Sequence, residues 1–387
     1  MIVLFYDRAA RMLQPIRDAA SRAADWQLEE WRLGDSAARL EELLALAVVI
    51  VAGPGFPASA LGKTRNLRLL QCASAGYEWI DFDAVPPTAH VCNTSSMDAS
   101  IAEYVLCAIL EWQVGCMRAD RALRAARCIV PPFGAPGQRG LAPFHGEAGG
   151  KTLGIVGLGA IGEQVARRAA ALDMRVLATT GRPRRATQPL PQGVAWRGAG
   201  DGADLERLLR ESDFVVLCCA LTPATRGLID ERRWPCAPPS LLRDPLTPLG
   251  CSSDSRCSSR PPCSSTSDAA LRRLNPTQAP RPLPPTRLSR ISRVGGLCEE
   301  RPLYEAVRDR RIGGAVLDVW WQYPSVESGE TWPSQFPFHE LTNVVMTPHC
   351  SGWTAEQEVR KREQVVSNIA AVASGELPLH CLRQAIR

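Results

Sequence analysis

The chain contains few lysines and no long apolar segment. Only three of its 45 basic residues are Lys, and no window approaches the run of about eighteen apolar residues that is typical of a membrane-spanning helix. Residues 2–6 are apolar, but the run is short and no basic region precedes it, so it is not expected to be a secretory signal. These absences predict a cytoplasmic protein that has no membrane partner.

The composition is otherwise that of a globular protein. The chain has 387 residues, of which 45% are hydrophobic and 22% charged, and this length suits two packed domains. The net charge of +5 is concentrated in residues 235–290, which hold eight Arg and three Asp. Since the remainder is neutral overall, no nucleic-acid partner is expected.

The fourteen cysteines are scattered, and several lie inside apolar runs, which favours buried, reduced thiols. Four of them, Cys236, Cys251, Cys257 and Cys263, fall within residues 235–290. Zinc sites usually contain closer pairs of cysteines, so no metal site is expected there.

Short apolar runs that alternate with helical segments predict an α/β protein with parallel sheets. Strands are predicted at residues 2–6, 47–52, 67–72, 89–93, 153–156, 175–178, 194–197, 214–221, 314–319 and 344–347. Helices are predicted at 101–123, 160–172, 204–211, 225–234, 303–310 and 353–374.

Residues 235–290 interrupt this alternation. They are rich in Pro and Ser and contain no aromatic residue, so they cannot bury enough apolar area to offset the entropy of ordering the chain. We therefore predict a disordered insertion, which would be explained by retained non-coding sequence or by a lineage-specific addition. The polar run that ends it, led by Pro284 and Pro285, is also a poor candidate for a central strand.

A glycine-rich turn follows the strand predicted at residues 153–156. Its spacing, G-x-G-x-x-G, allows a tight turn, a close approach of a pyrophosphate to the backbone, and close packing of the next helix. The predicted cofactor-binding residues are Gly157, Leu158, Gly159, Ala160, Ile161 and Gly162.

The next strand should end in an acidic residue if the cofactor is NAD, because that acid binds the ribose diol. Thr180 occupies this position, and Arg182 follows closely. An acid would repel a ribose 2′-phosphate, whereas Thr and Arg would accept it. The sequence therefore predicts NAD or NADP as the cofactor and favours NADP.

Six segments together resemble the D-isomer-specific 2-hydroxyacid dehydrogenase family. They cover nearly the whole chain apart from the insertion: residues 102–104 (Ala-Glu-Tyr), 157–162, 221–229, 292–296, 314–320 and 343–352. The resemblance implies an α/β fold with a flavodoxin-like substrate domain and an inserted Rossmann dinucleotide-binding domain. The substrate domain would comprise residues 1–112 and 350–387, the Rossmann domain residues 113–349, and the protein would be a homodimer.

The resemblance also implies the roles of the catalytic residues. His349 matches the acid/base, and Arg293 matches the arginine that binds the substrate carboxylate or polarises its carbonyl. Family members carry Glu or Gln before a Pro to orient the His, whereas here Tyr323 takes that position beside Gln322. Without a carboxylate partner, the pKa of His349 should be lower than in the usual pair.

Further residues are assigned by the same resemblance. The loop containing Ser74, Ala75 and Gly76 would bind a substrate carboxylate through its backbone N–H groups, and Asn93 would line the cleft. The remaining cofactor-binding candidates are Thr222, Pro223 and Asp318.

The expected activity is hydride transfer between NAD(P) and a D-2-hydroxy acid or 2-keto acid. Two alternatives stay open on the sequence. One is a catalytically impaired relative that senses a dinucleotide or binds a protein, suggested by the unusual Tyr323 and by the run before Arg293. The other is formate oxidation, suggested by a local likeness of residues 318–320 to formate dehydrogenases.

Overall fold

The computed structural model describes the following residues: 1–20, 26–77, 79–126, 145–181, 190–200, 202–233, 288–291, 294–324 and 330–385. The candidate residues Arg182 and Arg293, and residues 235–287 of the expected insertion, lie outside the described residues.

The described strands, in chain order, are β1 (Ile2–Tyr6), β2 (Gln27–Trp31), β3 (Val49–Ala52), β4 (Leu69–Cys72), β5 (His90–Cys92), β6 (Thr152–Val156), β7 (Arg175–Thr180), β8 (Val194–Ala199), β9 (Phe214–Leu217), β10 (Leu288–Ile291), β11 (Gly314–Leu317), β12 (Val344–Met346) and β13 (Cys381–Arg383). The described α-helices are α1 (Leu13–Ala20), α2 (Ala37–Leu46), α3 (Asp98–Val114), α4 (Cys116–Ala126), α5 (Ala160–Ala170), α6 (Gly202–Glu211), α7 (Val294–Leu297), α8 (Glu300–Arg308) and α9 (Ala355–Ser374).

The first sheet has the strand order β13-β5-β4-β3-β1-β2, and all its pairings are parallel except that of β13 with β5. Every residue of β3 and β4 is buried, as expected for central strands that are covered on both faces. Strands β1 to β5 follow the flavodoxin-like order 2-1-3-4-5. The flavodoxin-like α/β fold expected for this domain is thus confirmed.

The second sheet is entirely parallel and has the order β12-β11-β10-β9-β6-β7-β8. Counted from β6, this is the Rossmann order with one further strand. The strand order reverses between β6 and β9, and ligands of such sheets bind at the carboxyl ends of the strands near that point. This edge carries the glycine turn after β6 and Asp318 after β11.

Two sequence predictions in the second domain are wrong. Residues 288–290 were expected to be disordered, but they belong to β10, which pairs with β9 on one side and β11 on the other. Pro284 and Pro285 precede the strand, so every residue of β10 keeps its N–H for the ladder. The helix expected at 225–234 is instead a turn followed by a short 3₁₀ segment, Glu231–Arg233.

Two further strands, β2 and β13, were not predicted from the hydrophobic pattern of the sequence. Both are edge strands, and β2 has one buried residue among five. A strand that pairs on one side only does not need the continuous apolar run by which central strands are recognised. These two strands are therefore identified only by their pairing in the folded sheet.

Two helices connect the domains. The boundary expected at residue 112 falls inside α3, and residues Ala102, Val105 and Ile109 of this helix share a core with Leu153 of β6 and Val165 of α5. The chain returns to the first domain through α9, whose Val365, Ile369 and Val372 join the core that contains Val3 and Phe5 of β1.

Within the described ranges, no single helix has the length and apolar character required to span a bilayer; α3 and α4 meet that test only together, and they are bent by 52° relative to each other.

Candidate functional site

The glycine turn after β6 has the shape required for a pyrophosphate. Gly157 has a φ of 101°, and a Cβ at this position would lie 2.4 Å from the backbone nitrogen of Cys219. At Gly162 a Cβ would lie 2.5 Å from the carbonyl oxygen of Gly157. Gly159 has open space around it and caps the N-terminus of α5. The residues therefore fit a dinucleotide, since the open glycine lets a pyrophosphate approach the positive end of the helix.

The other residues of the turn support its geometry. Leu158 is buried, and the N–H groups of Gly157 and Leu158 donate to the carbonyl oxygen of Thr179 on β7. Ala160 and Ile161 form the first turn of α5. The turn is thus fixed to the neighbouring strand and leaves the helix N-terminus open.

Two more cofactor candidates lie on the same edge of the sheet. Thr180 ends β7 and is buried. Thr222 follows β9 in a turn. Its N–H donates to the hydroxyl oxygen of Thr225, and its carbonyl oxygen accepts the N–H of Thr225. The neighbouring Pro223 is exposed. Because β6, β7 and β9 are adjacent and parallel, their carboxyl ends converge on one crevice.

His349 lies in a loop that begins at the end of β12. Its φ of 57° is in the left-handed region, which costs a non-glycine residue about 1–3 kcal/mol and persists only where the surroundings impose it. The carboxylate of Asp318 supplies that constraint. Its Oδ1 accepts the N–H of Cys350 at 2.9 Å and the hydroxyl of Thr347 at 2.6 Å, and its Oδ2 accepts the N–H of Ser351 at 3.0 Å.

Tyr323 is the hydrogen-bond partner of His349. Its hydroxyl oxygen lies 2.8 Å from Nδ1 of His349 and accepts the backbone N–H of Trp320 at 3.1 Å. Gln322, the other candidate for this position, donates its backbone N–H to Pro333, and no hydrogen bond joins its side chain to His349 among the described residues. The structure therefore brings together only one of the two candidates with the histidine.

The environment of Tyr323 keeps its hydroxyl protonated. Burial raises the pKa of this phenol, the N–H of Trp320 lowers it, and the negative charge of Asp318 raises it. A phenol that titrates above its ordinary pKa of about 10 is neutral near pH 7. His349 consequently has a neutral partner that can either donate or accept a hydrogen bond.

The loop after β4 presents backbone N–H groups. The hydroxyl of Ser74 donates to the carbonyl oxygen of Gly76 at 2.7 Å, and the side-chain amide of Asn93 donates to the carbonyl oxygen of Ala75 at 2.8 Å. Within the described part of the chain, the N–H groups of Ala75 and Gly76 have no acceptor. Successive free amides of this kind suit a carboxylate, and Asn93 acts on the loop by fixing its shape.

The His349 loop lies against the start of helix α3. A Cβ at Gly352 would contact Met97, and the hydroxyl of Ser100 donates to the carbonyl oxygen of Gly352 at 3.3 Å. Met97 and Ser100 lie at the start of α3, shortly after Asn93. The acid/base candidate and the substrate loop are thus connected through the beginning of one helix.

Sequence reasoning did not assign the residues that position this loop, above all Thr347 and Trp320. The indole Nε1 of Trp320 donates to the carbonyl oxygen of Thr347 at 2.9 Å. Their positions in the sequence could have indicated this role. Trp320 lies two residues from Asp318 and from Gln322, and Thr347 lies two residues before His349. Among the residues that the structure describes, no cluster of three or more His, Cys, Asp or Glu side chains is suited to a metal ion.

Comparison with known proteins finds a matching family and similar relatives. The family described as D-isomer specific 2-hydroxyacid dehydrogenase, NAD binding domain, matches residues 107–240 and 287–351, which together make up more than half of the chain. A glyoxylate reductase of Korarchaeum cryptofilum is 28% identical over 325 residues, covering 83% of this chain and 77% of that protein. A D-3-phosphoglycerate dehydrogenase of Methanocaldococcus jannaschii is 27% identical, covering 87% of this chain and 52% of that protein.

Solved structures share the fold. A 2-hydroxyacid dehydrogenase from Ketogulonicigenium vulgare Y25 superimposes with a TM-score of 0.68 at 21% identity, covering 100% of this chain and 99% of that one. A glyoxylate reductase from Paecilomyes thermophila gives a TM-score of 0.67 at 19% identity, with 99% and 98% covered.

Proposed function

This chain belongs to the D-isomer specific 2-hydroxyacid dehydrogenase family, a family of nicotinamide-dependent oxidoreductases, and from that premise we propose that it is an active, NADP-dependent reductase of a small 2-keto acid. The observation that carries the proposal is the hydrogen bond between Tyr323 and His349. It supplies an oriented imidazole on the edge of the sheet that also carries the glycine turn.

A nicotinamide cofactor held at the glycine turn of residues 157–162 would supply the hydride. The substrate carboxylate would be held by the free N–H groups of Ala75 and Gly76, together with Arg293, which follows β10 closely in the sequence. Protonated His349 would donate from Nε2 to the keto oxygen, because imidazole exchanges protons near neutral pH. Negative charge that develops on this oxygen is stabilised by the same cationic ring.

Tyr323 can serve both protonation states of His349. While the ring is charged, Nδ1 carries a hydrogen and donates to the hydroxyl oxygen of Tyr323. After proton transfer from Nε2 the neutral ring keeps its hydrogen on Nδ1, and a later exchange to the other tautomer lets the hydroxyl donate to Nδ1 instead. The pair therefore orients the ring throughout the cycle, and this supports an enzyme rather than an impaired relative.

The choice of NADP is supported by the end of β7. Thr180 stands where NAD-binding domains carry an acid, and a carboxylate there would repel a 2′-phosphate. Arg182 follows two residues later and, as a guanidinium, would pair with that phosphate. Comparing KM for NADPH and NADH tests this choice, and a strong preference for NADH would contradict it.

A homodimer is the proposed assembly. Support comes from large apolar side chains that are exposed on α3 and α4, namely Leu110, Met117 and Leu123. Light scattering of the purified protein would measure the mass, and a monomer at micromolar concentration would contradict this part of the proposal.

The decisive experiment assays the purified full chain with glyoxylate, pyruvate, hydroxypyruvate and 3-phosphohydroxypyruvate, each with NADPH and with NADH. We expect oxidation of the reduced cofactor with at least one of these acids and loss of turnover in His349→Gln. Cofactor binding without turnover on any acid would instead support a dinucleotide sensor. Formate-dependent reduction of NAD(P) would support formate oxidation.

A further inference from the structure

Helix α3 presents one face to the His349 loop. Met97 precedes the helix, and Ser100 and Tyr104 follow at spacings of three and four residues, which places the three side chains on one side of a helix. Each of them contacts the segment 347–352: Met97 and Ser100 meet Gly352, and the hydroxyl of Tyr104 hydrogen-bonds to that of Thr347. The loop is therefore attached to the connecting helix at both of its ends.

The direction of the hydrogen bonds follows from the groups involved. An ionised carboxylate such as Asp318 only accepts, so the single hydroxyl hydrogen of Thr347 points to Asp318, at 2.6 Å. The oxygen of Thr347 must then accept the hydrogen of Tyr104. The hydrogen bonds therefore run from Tyr104 to Thr347 and from Thr347 to Asp318. The carboxylate of Asp318 also accepts the N–H groups of Cys350 and Ser351, which follow His349.

We propose that Tyr104 is a positioning residue for the reaction: through Thr347 and Asp318 it sets the location of His349 relative to α3, the helix that connects the two domains. Tyr104 lies 243 positions from Thr347 in the chain and belongs to the helix that leads out of the substrate-binding edge. The carboxylate of Asp318 determines the conformation of the loop. The hydroxyl of Tyr104 determines the position of the loop relative to α3. The role rests on the proposed function of His349.

The test replaces Tyr104 by Phe, which removes the hydroxyl and keeps the ring. We expect kcat to fall about two- to twelvefold, the ratio typical of losing one hydrogen bond, while KM for the cofactor is unchanged. Tyr304→Phe is the matched control, because the Tyr304 ring packs on Phe336 and Phe338 in a separate core cluster of the second domain. An unchanged kcat in Tyr104→Phe would overturn the proposal.

A double-mutant cycle separates positioning from general weakening of the protein. In a Thr347→Val background the hydroxyl of Tyr104 has lost this acceptor, so adding Tyr104→Phe should have little further effect on kcat. Thr347→Ser keeps the hydroxyl and should restore the effect of Tyr104→Phe. If Tyr104→Phe instead reduced kcat by the same factor in both backgrounds, the two residues would act independently and the proposal would be wrong.

Amide hydrogen exchange provides a readout that does not need turnover. In Tyr104→Phe the peptide containing residues 347–353 should exchange faster, whereas peptides from β6 and α5 should be unchanged. If the unaltered protein reduces no 2-keto acid but this difference is observed, the proposed function fails and the positioning of the loop stands. Equal exchange in the two proteins would overturn the positioning role.

Discussion

The hydroxyl of Tyr323 lies 2.8 Å from Nδ1 of His349, and it is held there by the backbone N–H of Trp320. The partner of the imidazole is thus a neutral group, half exposed to solvent, at the position where, by the family resemblance, other members carry Glu or Gln. This difference determines how activity should depend on pH.

Removing the hydroxyl should slow the reaction without abolishing it. In Tyr323→Phe the ring of His349 loses one hydrogen bond, and a bond of this kind contributes about 0.5–1.5 kcal/mol, so kcat should fall about two- to twelvefold. Steady-state kinetics with the best 2-keto acid would measure the change. A rate equal to that of the unaltered protein would show that Tyr323 does not orient His349.

Introducing a carboxylate should shift the pH profile upward. In Tyr323→Glu the negative charge beside His349 stabilises the imidazolium and so raises the pKa of the ring. Reduction requires the protonated ring, so its rate should persist to higher pH than in the unaltered protein. The pH dependence of kcat/KM measures the shift; a descending limb that stays in place or moves down would contradict the role of His349 as proton donor.

Asp318 should affect stability and rate together. Asp318→Asn keeps the volume but replaces one of the two accepting oxygens by a donor, which leaves a backbone N–H of Cys350 or Ser351 without its partner. The side chain is buried, so the free energy of unfolding should fall by about 1–3 kcal/mol. Urea denaturation measures that change, and kcat should fall by at least tenfold because the loop no longer holds His349. Unchanged unfolding would show that Asp318 does not constrain the loop.

The first glycine of the turn should be indispensable for the cofactor. In Gly157→Ala the new methyl group would lie 2.4 Å from the backbone of Cys219, at a φ of 101°, so the turn must move away from the position that receives a pyrophosphate. Fluorescence titration should show at least tenfold weaker binding of NADPH. Gly62→Ala is the control, because nothing lies within 4 Å of its added Cβ; equal losses in both variants would contradict the assignment of the turn.

Cofactor preference should reverse at the end of β7. Thr180→Asp places a negative charge where the 2′-phosphate of NADPH is expected, so kcat/KM with NADPH should fall at least tenfold, while the value with NADH stays the same or rises. The ratio of kcat/KM with NADPH to kcat/KM with NADH measures the change in preference. A fall with both cofactors to the same extent would indicate a structural effect on this buried position instead.

The fold was largely predictable because its signals are local. Continuous apolar runs marked the central strands, and three glycines with a fixed spacing marked the turn, since backbone conformation and close packing demand those residue types at those positions. The exceptions have local causes too. Strand β2 is a partly exposed edge strand, and β10 is stabilised by ladders on both sides rather than by an apolar run that can be recognised in the sequence.

The sequence by itself determined the parallel α/β architecture, the seat for a dinucleotide and His349 as the acid/base candidate. Only the tertiary structure decided that Tyr323 rather than Gln322 pairs with the histidine, that Asp318 imposes the conformation of its loop, and that Tyr104 reaches Thr347. These contacts join residues between 26 and 243 positions apart in the chain. Such pairs leave no periodic pattern in the sequence, because they depend on where the strands end and on how α3 crosses between the two sheets.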